Sequence, residues 1–223
     1  MALIQAVNYT YTSGSPYSNA FGSNNAAGNM LLAQFNGVGT GPATIADSNG
    51  NTANWIQIFA GSPVSGQLFA IWVCYNCNAG ANTVTVTAAN CPTLAGVTLG
   101  EFSGGLNALD SNSNTVFNST AGYSNTTVPF TTQFNVETLI GFFICPVGYL
   151  SVGSPFTFGA GINYAGITYN GWSYYFSTST GSASTIATAS NNSGTVYGML
   201  LGFYQQAAPG GGPNLRMLMG MGT

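Results

Sequence analysis

Thr83, Thr85 and Thr87 alternate with Val84 and Val86, the two-residue period of a strand with one apolar face and one polar face. Two other runs, Leu68–Val73 and Leu139–Ile144, are apolar at most positions, which predicts central strands covered on both faces. Helical spacing of apolar residues is absent. Strand-like runs instead recur every eight to twelve residues or so, parted by Gly, Asn, Ser and Pro, the signature of a sandwich or jelly roll. Strands are predicted at Ile4–Thr10, Met30–Asn36, Trp55–Ala60, Gln67–Tyr75, Thr83–Ala88, Thr98–Ser103, Thr126–Thr132, Leu139–Cys145, Phe156–Ile162, Ile167–Ser177, Thr185–Ala189 and Thr195–Tyr204. The expected fold is therefore all-β, an antiparallel β-sandwich of jelly-roll or Ig-like type with about twelve strands.

No shift in composition divides residues 1–206, which read as one sandwich domain. Beyond it, residues 207–223 open with Ala207-Ala208-Pro209-Gly210-Gly211-Gly212-Pro213, a linker by composition. They end in a Met-rich stretch carrying Leu215, Met217, Leu218, Met219 and Met221. Methionine fills irregular grooves, so this stretch is expected to act as an assembly tail that reaches a neighbouring subunit or a particle surface.

Charge changes the picture most. Only 2% of the residues are charged, against about 25% in an ordinary soluble domain. The charged residues are Asp47, Glu101, Asp110, Glu137 and Arg216, with no His and no Lys, for a net charge of −3. A spanning helix needs about 20 continuous apolar residues. The best run, Leu139–Val147, is shorter and holds Pro146, so no membrane insertion is expected. The opening MALIQAVNYT has neither a positive segment nor an apolar core, and no secretory signal is read there. One arginine cannot neutralise a phosphate backbone, which excludes nucleic acid as a partner. A surface with so little repulsion suits a packed lattice.

Several motifs follow one another in a recognisable order. Asp47-Ser48-Asn49-Gly50-Asn51-Thr52 runs on to Trp55, then Tyr75-Asn76, Gly80-Ala81-Asn82-Thr83-Val84-Thr85-Val86-Thr87, Gly100-Glu101-Phe102-Ser103-Gly104 and Leu109-Asp110. Across residues 28–145 this order resembles a β-sandwich module of bacterial surface proteins and phage structural proteins, which pairs a DSxGNT turn, a TVTVT strand and an E-aromatic-SG strand end. The resemblance implies an adhesive or architectural module with no catalytic role. Three of the four carboxylates fall in these motifs, which assigns them structural work.

Candidate chemistry is sparse. Without His the common general base is missing, and Glu101 with Asp110 is the one carboxylate pair close enough in sequence to test as a glycosidase dyad. Turn-capping by the aspartates is the stronger expectation. No phosphate loop is present, so no cofactor is expected. Cys74-x-x-Cys77 lacks a second such pair for zinc, and a bridge between Cys77 and Cys91, which flank the Thr83–Ala88 strand, is a candidate disulfide. Trp172, Tyr174 and Phe176 share one face of a strand. That face would be a sandwich core, a subunit contact or a platform for a sugar ring.

Together these features lead to the expectation of a non-enzymatic structural subunit on the outside of a virion or in an extracellular assembly. A phage capsid decoration or fibre component fits first. A secreted bacterial filament or surface layer and a carbohydrate-binding adhesin are the alternatives. Its partners would be copies of itself and other particle proteins, with glycans in the adhesin case. Since Arg216 is the only trypsin site, trypsin should remove residues 217–223 and leave the rest intact even after denaturation. Mass spectrometry of the digest checks this, and internal fragments would contradict it.

Overall fold

The computed structural model describes residues 1–113, 118–121, 124–127, 129–145, 150–164, 168–183, 186–189 and 195–206. The first eight strands are β1 (Ala2–Tyr11), β2 (Tyr17–Ala20), β3 (Met30–Val38), β4 (Thr44–Asp47), β5 (Trp55–Gly61), β6 (Gln67–Cys74), β7 (Thr83–Thr87) and β8 (Ala95–Ser103). They form a five-stranded sheet in the order β1-β8-β3-β6-β5 and a three-stranded sheet in the order β2-β7-β4, antiparallel throughout. A single 3-10 turn, Thr52–Asn54, joins β4 to β5.

The rest of the chain contains β9 (Ala108–Leu109), β10 (Asn118–Ala121), β11 (Ser124–Thr126), β12 (Phe130–Thr131), β13 (Glu137–Cys145) and β14 (Leu150–Val152). It continues with β15 (Thr157–Tyr164), β16 (Thr168–Ser177), β17 (Ser182–Ala183), β18 (Ile186–Ala189) and β19 (Thr195–Tyr204). Here the large sheet runs β10-β19-β13-β16-β15, with β9 also paired to β19, and the small sheet runs β11-β18-β14. Strand for strand this repeats the first half. β10, β19, β13, β16 and β15 take the places of β1, β8, β3, β6 and β5, while β11, β18 and β14 take those of β2, β7 and β4. The antiparallel β-sandwich expected from the sequence is present, and it is present twice.

The two sandwiches meet through their large sheets. Along β3, Leu31, Ala33 and Phe35 point toward the first small sheet and pack with Val84, Val86 and Tyr17. Met30 and Leu32 point the other way and join Phe69, Ile71, Val73 and Phe102 against Ile140, Phe142, Ile144, Trp172, Met199 and Leu201. The far face of the second large sheet carries Leu139 and Leu200, packed with Phe130 and Phe156. Both strands foreseen as apolar at most positions, β6 and β13, are covered on both faces.

Trp172 fills the space between the sheets. It is fully buried, donates from Nε1 to Thr98 Oγ1 at 3.1 Å and lies 5.6 Å from the Phe102 ring. Room for it comes from glycine: a Cβ on Gly100 would approach its ring to 2.9 Å, and a Cβ on Gly159 would overlap it. Gly159 is the extra residue of a bulge in β15, between Phe158 and Ala160. Two more bulges, at Ile4 in β1 and Ile58 in β5, also fall in strands at the margins of the large sheets.

The strand expected over Thr126–Thr132 is a correction. It splits into β11 and β12, which belong to different sheets. Pro129 lies between them and has no N–H to give a ladder. The other differences are added short strands such as β2, β4 and β14, whose few residues carry little periodicity.

Trp172→Ala should cost about 3–5 kcal/mol and Gly100→Ala about 1–3 kcal/mol, measured by denaturant unfolding. Because the two side chains compete for one space, the Gly100→Ala cost should shrink in the Trp172→Ala background. An unchanged cost would mean that Gly100 is constrained by something other than the indole.

Candidate functional site

All four carboxylates gather at one end of the molecule. That end holds the start of β3 paired with the ends of β6 and β8, and the start of β13 paired with the ends of β16 and β19. Met1 ties the two sandwiches together there, with its Sδ 3.3 Å from Thr138 Oγ1. The described chain also leaves the body there, where Gln206 N donates to Asn107 Oδ1 at 2.6 Å and Gln206 O accepts from Asn107 Nδ2 at 3.2 Å.

Asp47 closes β4 and organises the turn after it. Its Oδ1 accepts from Asn51 N at 2.8 Å, and its Oδ2 accepts from Asn51 Nδ2, Trp55 Nε1 and Asn82 Nδ2 at 2.8, 3.2 and 3.3 Å. Asn51 Oδ1 in turn accepts from Asn78 N at 2.8 Å, while Asn49 and Asn78 exchange side chain-to-backbone bonds at 2.9 Å. The left-handed Gly50, at φ +75°, lets the turn reverse. The DSxGNT turn, Trp55 and the residue before TVTVT thus form one unit. Its carboxylate spends its acceptors on N–H donors, which suits a loop clamp and leaves poor provision for a cation.

Glu101 lies on the inward face of β8 and is 0% exposed. It accepts from Gln5 Nε2 at 2.5 Å, Asn25 Nδ2 at 2.9 Å, Ala26 N at 2.8 Å and Asn29 Nδ2 at 2.6 Å. Burial opposes its charge, but these bonds to the ionised form outweigh it and hold the carboxyl below its ordinary 4.5. The effect is to pin the loop that enters β3.

Asp110 and Glu137, both 0% exposed, do the same for the loop that enters β13. Asp110 accepts from Asn112 N at 2.8 Å and Gln133 N at 2.9 Å, and Glu137 Oε1 accepts from Phe134 N at 2.9 Å. Burial first, and Asp110 beside it, push Glu137 up to about 7 against the pull of the Phe134 and Gln133 amides. In a chain without His, this places a titrating carboxyl between pH 5 and 8. The loop presents Phe134, stacked on Tyr204 with centroids 3.8 Å apart, and Val136, which is 55% exposed.

Several expected sites are corrected. Trp172 faces the interior, and Tyr174 and Phe176 are half-buried against the same core, so no sugar platform or open subunit contact forms from Trp172. Cys77 and Cys91 are separate buried thiols. Cys77 N donates to Asn29 O at the start of β3, whereas Cys91 lies against Gly37 at its far end. Eight residues of strand, about 27 Å, part them, far beyond disulfide reach. Burial lifts the thiols of Cys74 and Cys77 to about 12 and about 11, which keeps them unreactive. Glu101 and Asp110 occupy different clusters and do not form a dyad. Among the described residues no group of three or more His, Cys, Asp or Glu could hold a metal, and no helix is long and apolar enough to cross a membrane. The tail residues Leu215, Met217, Leu218, Met219 and Met221 lie outside the described residues.

Protein-family models, curated proteins and solved structures each contain no match to this chain. Glu137 was missed by sequence reasoning. Its signal was a lone acid opening the apolar run Glu137–Cys145, where a charge survives only with a partner.

Glu101→Gln would set an amide against amide donors and should cost about 1–3 kcal/mol at neutral pH. A carboxyl held below its ordinary pKa contributes stability above 4.5 that is lost as pH falls through the lowered value. The gap in urea midpoint between wild type and variant should therefore close on acidification. A gap that stays constant down to about pH 2 would contradict this role for the charge.

Proposed function

We propose that the protein is a non-enzymatic structural subunit of a viral or extracellular assembly, with the surface of a phage particle as its first setting. One observation carries this reading. Of four side-chain carboxylates, Glu101, Asp110 and Glu137 are wholly buried, so the described surface retains only Asp47. The four carboxylates are spent on holding loops, and almost no charge remains on the described surface to keep copies apart. Polar, uncharged surfaces of this kind can pack without desolvating ions, whose removal from water is costly.

The exposed apolar side chains support the same reading. Ile4 and Ile56 stand on marginal strands of the first large sheet, and Phe134 and Val136 stand at the carboxylate end. The Met-rich residues 215–221 follow a Gly/Pro linker that starts next to that end, at Gln206. In this reading the tail docks on a neighbouring subunit or on the particle.

Electron microscopy and light scattering of the full chain test the proposal. Ordered shells, fibres or filaments should form and persist from about 0.01 to 1 M ionic strength, because there is little charge to screen. Deleting residues 209–223 should leave a folded body that no longer assembles. A wild-type protein that stays monomeric at all concentrations, or a truncated one that assembles as before, would overturn the reading.

A further inference from the structure

The two sandwiches can be compared position by position at their carboxylate ends. In the first, β8 pairs Glu101 with Gln5 on β1 and with Leu31 on β3, and Asn29 precedes β3 by one residue. In the second, β19 pairs Gly202 with Leu139 on β13, two residues after Glu137, and Gly202 O accepts from Asp110 N at 2.8 Å. Leu31 and Leu139 both face inward in their own sandwich. Gly202 therefore stands where Glu101 stands, Glu137 where Asn29 stands, and Asp110 on the side of Gln5.

The trio amide–carboxylate–amide of the first half becomes carboxyl–glycine–carboxyl in the second. Loss of a side chain at Gly202 opens the space, and Glu137 fills it: a Cβ on Gly202 would come 2.5 Å from Glu137 Oε2. Glu101 has amides on both sides to donate to it. Glu137 has Asp110, an acceptor, and its Oε2 is buried without any donor. A buried carboxyl oxygen facing a second carboxyl has one way to make a hydrogen bond, which is to carry the hydrogen itself.

We infer that Asp110 and Glu137 form a one-proton binding site that latches the loop entering β13. With the proton bound, Glu137 Oε2–H donates to the Asp110 carboxylate. The remaining oxygens are free to accept from Gln133 N and Phe134 N. When the proton leaves to solvent, two like charges face each other in a space closed by Gly202, and both loop bonds are strained by their separation. Among the described residues no Lys, Arg or His side chain offsets this, and the one cation there is the Met1 amino group. On β19 the facing titratable group is Tyr204, opposite Glu137, and β16 presents Ser177 there and Tyr175 two residues on. Met1 touches Thr138, whose side chain leaves the opposite face of β13. The latch controls the loop carrying Phe134 and Val136, so its release would alter the apolar rim beside the chain exit.

The direction follows from linkage. A carboxyl with a raised pKa favours folding while protonated, and that contribution falls as pH rises from 4.5 to about 7. The test is a carboxyl carbon-13 NMR titration of the full chain, in which only Asp47, Glu101, Asp110 and Glu137 contribute side-chain signals besides the terminus. One glutamate signal should titrate below 4.5 and the other near 7. The second should vanish in Glu137→Gln, whose amide supplies the missing donor permanently. Hydrogen exchange of segment 131–136, corrected for intrinsic rate, should speed up at least about tenfold from pH 6 to 8.5 in wild type and stay flat in the variant. Two glutamates that both titrate below about 5, or loop protection that does not change with pH, would overturn the site. The wild-type titration decides the matter even if the variant fails to fold.

Discussion

Strands β3 and β6 send Leu31, Ala33 and Ala70 to one side and Met30, Leu32 and Ile71 to the other, and neither side meets water. A sheet buried on both faces cannot accept a one-residue slip, since either face would have to rebuild its packing. Its register consequently fixes what lies above and below it. The first small sheet must match one surface, and the second large sheet, with Trp172 at its centre, must match the other. Fully burying one such side chain is worth about 1.5–3 kcal/mol, and the two layers contain many of them. Hydrophobic burial of this extent lets the chain dispense with ion pairs as a source of stability.

With that framework in place, the carboxylates are free for local tasks. Each holds a loop that borders a strand and accepts from backbone N–H groups that would otherwise lack partners. Glu101 works as an anion and weakens on acidification, whereas Glu137 works as an acid and weakens on alkalisation. Their contributions to stability therefore run in opposite directions with pH.

Much of this arrangement could be read from residue order. Alternation marked β7, runs apolar at most positions marked β6 and β13, and the motif carboxylates Asp47, Glu101 and Asp110 each hold a loop. The duplication was not legible, because the equivalent positions exchanged chemistry: Glu101 for Gly202 and Asn29 for Glu137. A faint echo survives in Ala81-Asn82-Thr83-Val84 against Ala183-Ser184-Thr185-Ile186. Nor could sequence decide which side of β16 was buried, since Trp172 would suit a core or a surface equally until the sheet above it was known. The Cys77–Cys91 pairing failed for a related reason. Residues that flank one strand look close in sequence, yet they sit at its two ends.

The three bulges, at Ile4, Ile58 and Gly159, all lie in marginal strands. Open sheet edges invite pairing with other chains, and proteins often guard them with lysine. This chain has none. Protection by charge fades in concentrated salt and disappears once the side chain is neutralised. A bulge is made of backbone, so neither brine nor acid can switch it off.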